Sequence, residues 1–192
     1  GILANLKEPS AHWCRKMRTV FRPWDVEGGS KGYVTEEVFK DGVQRRLEKF
    51  PELAPTKDKM YERSHRHWVN HCNLGVKMPE GYRLTESQYV QNAWLLIHSP
   101  DFEASLKESS QTFWEGIDRE KKGYITKEEA TKLGIRVTKD PNLKSTGIFE
   151  AMDEKNTGRI TFEDTLKAQL FFFTDQDNTT HPFNYVRGAL VD

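Results

Sequence analysis

Carboxylates recur in this 192-residue chain at a spacing suited to holding a hard cation through oxygen. Asp118, Glu120 and Glu129 occupy places 1, 3 and 12 of a twelve-residue stretch, with Tyr124 at place 7. Asp153 and Asp164 hold places 1 and 12 of a second stretch. A calcium loop of this length takes side-chain oxygens at 1, 3, 5 and 12, a main-chain carbonyl at 7, and glycine at 6 for the sharp turn. Gly123 and Gly158 fall at place 6. The ligand sets are nevertheless incomplete. Lys122 stands at place 5 of the first stretch, and Lys155 and Thr157 at places 3 and 5 of the second. A protonated lysine has no lone pair to donate. In 118–129 the four acids are balanced by Arg119, Lys121, Lys122 and Lys127. Calcium binding is therefore expected to be weak at 118–129, weaker still at 153–164, and absent elsewhere.

Aromatic side chains are the second group able to do chemistry. Trp13, Met17, Phe21 and Trp24 recur at helical spacing and form one stripe. Trp68, Trp94, Trp114, Phe149 and Phe172 come from other helical stretches and are expected to point inward. Buried Trp and Tyr present an apolar body and a polar tip, which suits an enclosed aromatic ligand. Near the C-terminus, His181 and Tyr185 could meet such a ligand's polar end if the tail closes over it. His65, His67, His71 and Cys72 share one predicted helix. The spacing of His67 and His71 could chelate zinc or copper, but a solvated polar face is the simpler expectation. No phosphate loop, nucleophile elbow or CxxC pair occurs, and no catalytic residue is assigned.

These residues sit on a repeat. Gly32-Tyr33-Val34-Thr35, Gly123-Tyr124-Ile125-Thr126 and Gly158-Arg159-Ile160-Thr161 share one pattern, each preceded by an apolar helical stretch ending in Asp25, Asp118 or Asp153. The first copy carries two extra residues and has Val38 at place 12. A fourth, weaker copy, Gly81-Tyr82-Arg83-Leu84-Thr85-Glu86, reaches Gln88 at that place. Helix, loop, helix with a β-branched residue at place 8 pairing with a sister loop is the EF-hand plan. The expected fold is all-α, with four EF-hand motifs in two lobes packed into one domain around a central apolar cavity. Helices are expected at about 9–23, 35–49, 56–73, 85–98, 102–117, 126–134, 142–152 and 161–173. Residues 1–98 would form an N-terminal pair, and 99–192 a C-terminal pair with a closing tail.

Composition narrows the function classes. Lys and Arg number 29, as do Asp and Glu, so a broad electrostatic grip on nucleic acid is not expected. No apolar run reaches ~18 residues, the first residues lack a signal-peptide pattern, and two cysteines do not make a disulfide scaffold. A cytoplasmic monomer without a membrane partner is expected.

The whole chain resembles the invertebrate sarcoplasmic calcium-binding superfamily, nearest its coelenterazine (luciferin)-binding and photoprotein branch. Arg15-Lys16-Met17-x-Thr19 leading into Asp25-Val26 is similar to that branch's first hand. Leu74-Gly75-Val76-x2-Pro79-x-Gly81-Tyr82-Arg83-Leu84-Thr85 resembles its calcium-incompetent second hand, and Leu170-Phe171-Phe172-Phe173 with Phe183-Asn184-Tyr185-x2-Gly188-x-Leu190-Val191 its last helix and tail. The resemblance implies a protein binding a coelenterazine-like, hydrophobic aromatic small molecule. The loss of metal ligands departs from the pattern, and no Trp follows Trp114, against a photoprotein. Two other classes stay open: a sarcoplasmic-type calcium buffer or sensor with one or two weak sites, and a metal-independent, luciferase-like oxygenase.

Overall fold

A computed structural model describes residues 5–133 and 147–192. Within them the chain is helical, with eight α-helices and four two-residue strands. In order these are α1 (Ala11–Glu27), β1 (Tyr33–Val34), α2 (Glu36–Lys49), α3 (Lys57–Arg66), β2 (Leu84–Thr85), α4 (Glu86–Ile97), α5 (Phe102–Ile117), β3 (Ile125–Thr126), α6 (Lys127–Lys132), α7 (Ile148–Met152), β4 (Arg159–Ile160) and α8 (Phe162–Thr174). Each strand lies between two helices, giving four helix–loop–helix units. The strands pair antiparallel, β1 with β2 and β3 with β4, so that Val34 faces Leu84 and Ile125 faces Ile160. These are the place-8 residues of the repeats, and all four are fully buried.

The preceding glycines carry the turn. Gly32, Gly123 and Gly158 have φ of +83°, +84° and +77°, a region that disfavours any Cβ-bearing residue. In the weaker copy the turn sits one residue earlier, at Gly81 with φ +77°. That shift explains why Tyr82 stands where the repeat calls for glycine.

Two helix ends differ from expectation. α1 continues through Pro23 to Glu27, absorbing much of the first loop's two-residue excess into an extra turn. Asp25 thus lies on the helix, yet its Oδ1 still accepts from the Gly32 N–H at 3.0 Å. Helix α3 gives way at His67–Cys72 to a π-helical turn, closed by Asn73 Nδ2 donating to the Trp68 carbonyl at 2.9 Å and the Gly75 N–H to that of Val69 at 2.8 Å. The expected helix 142–152 is seen as α7; residues 142–146 lie outside the described residues, as does 134 in the helix expected to end there.

The chain divides into two compact units. One is built mainly from Met17–Ser105, the other from Pro9–Lys16 and Leu106–Asp192. In the second, Trp114, Ile125, Ile148, Phe149, Met152, Ile160, Ala168 and Phe183 form one apolar core, with Phe162, Phe171 and Tyr185 packed against it.

Candidate functional site

The geometry of the loops decides what a cation would meet. Asp118 is buried, and its carboxylate accepts from the main-chain N–H groups of Lys122 and Gly123 at 3.0 and 2.8 Å. Asp153 does the same for Thr157 and Gly158 at 2.9 and 2.8 Å. Burial acts to raise the Asp153 pKa, but these hydrogen bonds, with one from the Thr157 hydroxyl, leave it lowered. Place 1 is thus engaged in shaping the turn in both loops.

The place-12 acids diverge. Lys122 Nζ is paired directly with Glu129 and lies 3.9 Å from Glu120 Oε2. That ammonium therefore sits against the place-3 and place-12 carboxylates of its own loop. The hydrogen bond to Glu129 raises the Lys122 pKa and lowers that of Glu129. Asp164 instead closes a capping box on α8, its Oδ2 accepting from the Thr161 N–H at 2.8 Å while the Thr161 hydroxyl accepts from the Asp164 N–H. Gln88 makes the same box with Thr85 on α4. A guanidinium also lies over the place-7 tyrosine in each loop pair: Arg83 over Tyr33 at 4.6 Å and Arg159 over Tyr124 at 4.1 Å. The donor set at 118–129 fits calcium only after Lys122 leaves, and the set at 153–164 only after Asp164 abandons its cap.

The aromatic residues expected to line a ligand fall in both units. In the first, Trp24 makes edge contacts with Phe39, His67 and Tyr89 at 4.9, 5.5 and 5.3 Å between ring centres. Phe21 lies 5.9 Å from Tyr89, and Trp68 packs on Phe39 at 5.8 Å. Met17 is fully buried, and Trp94 packs edge-on against His98 at 4.6 Å. In the second unit, Trp114 and Phe149 belong to the apolar core, with Tyr185 against it. Trp13 and Phe172 are fully buried, and the Trp13 indole N–H donates to the Phe173 carbonyl at 2.7 Å. The His181 ring packs at a tilt against Phe171 and Phe183, with ring centres 4.1 and 4.7 Å apart.

The histidines do not share one solvated face: His65 is exposed and paired with Glu36, whereas the others turn inward. His71 is buried, its Nε2 lies 3.1 Å from the Tyr89 hydroxyl, and its ring stacks on His67 at 4.7 Å. The π-helical turn turns that side of the helix inward, and such turns recur at functional sites. No cluster of three metal-ligating side chains occurs among the described residues.

Two features escape a reading by residue type. One is the Lys122–Glu129 pair, since spacing alone does not reveal that a lysine folds back onto place 12. The other is Lys16, which is 0% exposed. Its Nζ donates to the Asp175 carbonyl at 2.6 Å and lies 5.8 and 5.4 Å from the ring centres of Phe171 and Phe172. Burial lowers its pKa to about 8, against the nearby Asp175 charge. A signal existed: Lys16 falls three residues after Trp13 and four before Val20, on the buried side of α1. His12, one turn earlier, is lowered by burial and by Lys16, and its Nε2 lies 3.3 Å from Asn184 Oδ1. Burial likewise lowers His181.

Helix–loop–helix units paired through short ladders define a class of fold shared with known calcium- and luciferin-binding proteins. Among solved structures of that fold are the calcium-loaded apo form of coelenterazine-binding protein from Renilla muelleri (21% identity, 94% of this chain and 97% of that one, TM-score 0.60) and a sarcoplasmic calcium-binding protein from amphioxus (11%, 96% and 100%, 0.66). A third is an apoaequorin complex with (S)-HM-daCTZ (16%, 94% and 93%, 0.61). These are the superfamily and branch that the sequence resembles, and at such identities the likeness is one of fold. No protein-family model matches the chain, and no curated protein matches it by sequence. No described helix is long and apolar enough to cross a membrane.

Proposed function

We propose that this protein binds a hydrophobic aromatic small molecule of the coelenterazine type in an apolar interior, on four EF hands that no longer depend on calcium. Residues 1–98 would supply one pair of hands and 99–192 the other, with the C-terminal tail closing the site. The observation that carries the reading is that the loop acids act on the protein itself: Asp118 and Asp153 hold the turns, Glu129 holds Lys122, and Asp164 caps α8. A scaffold held this way keeps its shape without an ion, so its interior is free to serve another ligand. The Trp, Tyr and His side chains buried in each unit suit an aromatic guest with polar groups.

Trp13, Met17, Phe21, Trp24, Trp68, Trp94, Trp114, Phe149 and Phe172 are the candidate contacts, with His181 and Tyr185 on the tail. The test is a fluorescence titration with coelenterazine in the presence of chelator. Saturable quenching of Trp emission is expected, and deletion of residues 181–192 should weaken it far more than it lowers helical signal. Absence of quenching in the full chain, with and without calcium, would overturn the reading. Loop 118–129 favours a second reading, a weak calcium site, because Asp118, Glu120 and Glu129 and the Tyr124 carbonyl remain in one loop.

A further inference from the structure

Lys16 is a buried ammonium with no carboxylate in hydrogen-bonding reach, although the Asp175 charge lies near enough to act on it. Among the described residues it donates one hydrogen bond, to the main-chain carbonyl of Asp175, and pairs with no carboxylate. The Asp175 carboxylate accepts instead from the Asn178 N–H at 2.9 Å. An ammonium carries three donors, so two remain for a guest. Burying an unpaired charge is costly, and the cost falls sharply when an anion reaches it. Asp175 ends α8, whose carbonyl end offers partial negative charge, and the rings of Phe171 and Phe172 offer their faces. Neither is a full counter-ion.

We propose that Lys16 anchors the acidic group of the ligand, so that the aromatic guest is one bearing an anionic oxygen acid: a sulfonate, a carboxylate or an ionised phenol. The proposal rests on the small-molecule reading above and specifies its ligand class. Phe171 and Phe172 would take the aromatic body beside the charge. Charged and titratable groups near the amine are Asp175 at the end of α8 and His12 on α1; Arg15 precedes it in sequence, and His181 on the tail contacts the Phe171 ring that also faces the amine. Burial is the main cause lowering the pKa of both histidines. Arg15 is turned towards the last residues, donating to the Val191 carbonyl. Lys16 is therefore the group here whose charge changes as pH rises through about 8.

The test uses two probes with the same kind of aromatic body, 1-anilinonaphthalene-8-sulfonate and the uncharged N-phenyl-1-naphthylamine, with the full chain. The sulfonate probe should bind more weakly at pH 10 than at pH 7, on the order of tenfold, as expected for losing one charge-assisted hydrogen bond. Lys16→Met should remove that dependence and weaken sulfonate binding at pH 7 by a similar factor. The neutral probe should bind both proteins alike at either pH, which also shows that the variant is folded. Equal binding of the sulfonate by both proteins, with a flat pH profile, would overturn the anchor while leaving the small-molecule reading intact. If neither probe binds either protein, that reading falls and the anchor falls with it.

Discussion

The third and fourth loops share a ladder and differ in what their last acid does. Ile125 pairs with Ile160, and Asp118 and Asp153 hold their turns through the same two main-chain N–H groups. Glu129, however, reaches across its loop to a lysine, whereas Asp164 turns back to cap the helix that begins beside it. The contrast shows two ways of keeping a calcium loop's shape once the ion is dispensable. One replaces the cation with an ammonium from the chain. The other converts the coordinating acid into a helix cap, a role open to it because place 12 is also the third residue of the exiting helix.

Breaking the turns should have the largest effect. Asp118→Ala removes a buried carboxylate and leaves two part-buried main-chain N–H groups without their acceptor, and should cost about 2–4 kcal/mol of stability by thermal or urea unfolding. Asp153→Ala should cost less, about 1–2 kcal/mol, because its loop is more open to water. Equal losses would mean that burial does not separate the loops.

Converting the lysines sharpens the contrast. Lys122→Asp should raise calcium affinity on the order of tenfold or more, since loop affinity follows its ligand charge. Lys155→Asp should gain less, because Asp164 must surrender its capping box before it can coordinate. Titration calorimetry checks the order, and a larger gain at Lys155 would reverse the account. The caps give a smaller difference. Thr161→Ala should cost about 1 kcal/mol, and Thr35→Ala only a few tenths, because the Thr35 side chain makes no cap bond.

Lys16 adds a pH dependence of defined sign. Its folded pKa of about 8 lies below the ordinary 10.5. Between those values the unfolded chain holds a proton that the folded chain has lost, so stability should rise with pH across this window. Lys16→Met should abolish that rise. A flat profile for the wild-type chain would contradict it.

Much of the fold was legible because glycine spacing and place-8 apolar residues report backbone needs directly. The pairing of Val34 with Leu84 and of Ile125 with Ile160 follows from that register. Less of the site was legible. Lys122 read as a missing ligand, since residue type says what an ammonium cannot do and not where its flexible stem carries it. His71 read as a polar face, because ordinary helical periodicity cannot foresee the π turn that buries it against Tyr89. The first helix was expected to end at about 23, yet α1 runs through Pro23 to Glu27.

The central claim is that the loops hold themselves without an ion. Isothermal titration of the wild-type chain with calcium at physiological ionic strength tests it most directly. No site tighter than about 10⁻⁵ M is expected, the loose end of the sensor range, and chelator should leave the melting temperature unmoved because no bound ion contributes to stability. Two sites near micromolar affinity, with a melting temperature that falls on chelation, would contradict the account and make the protein a calcium buffer.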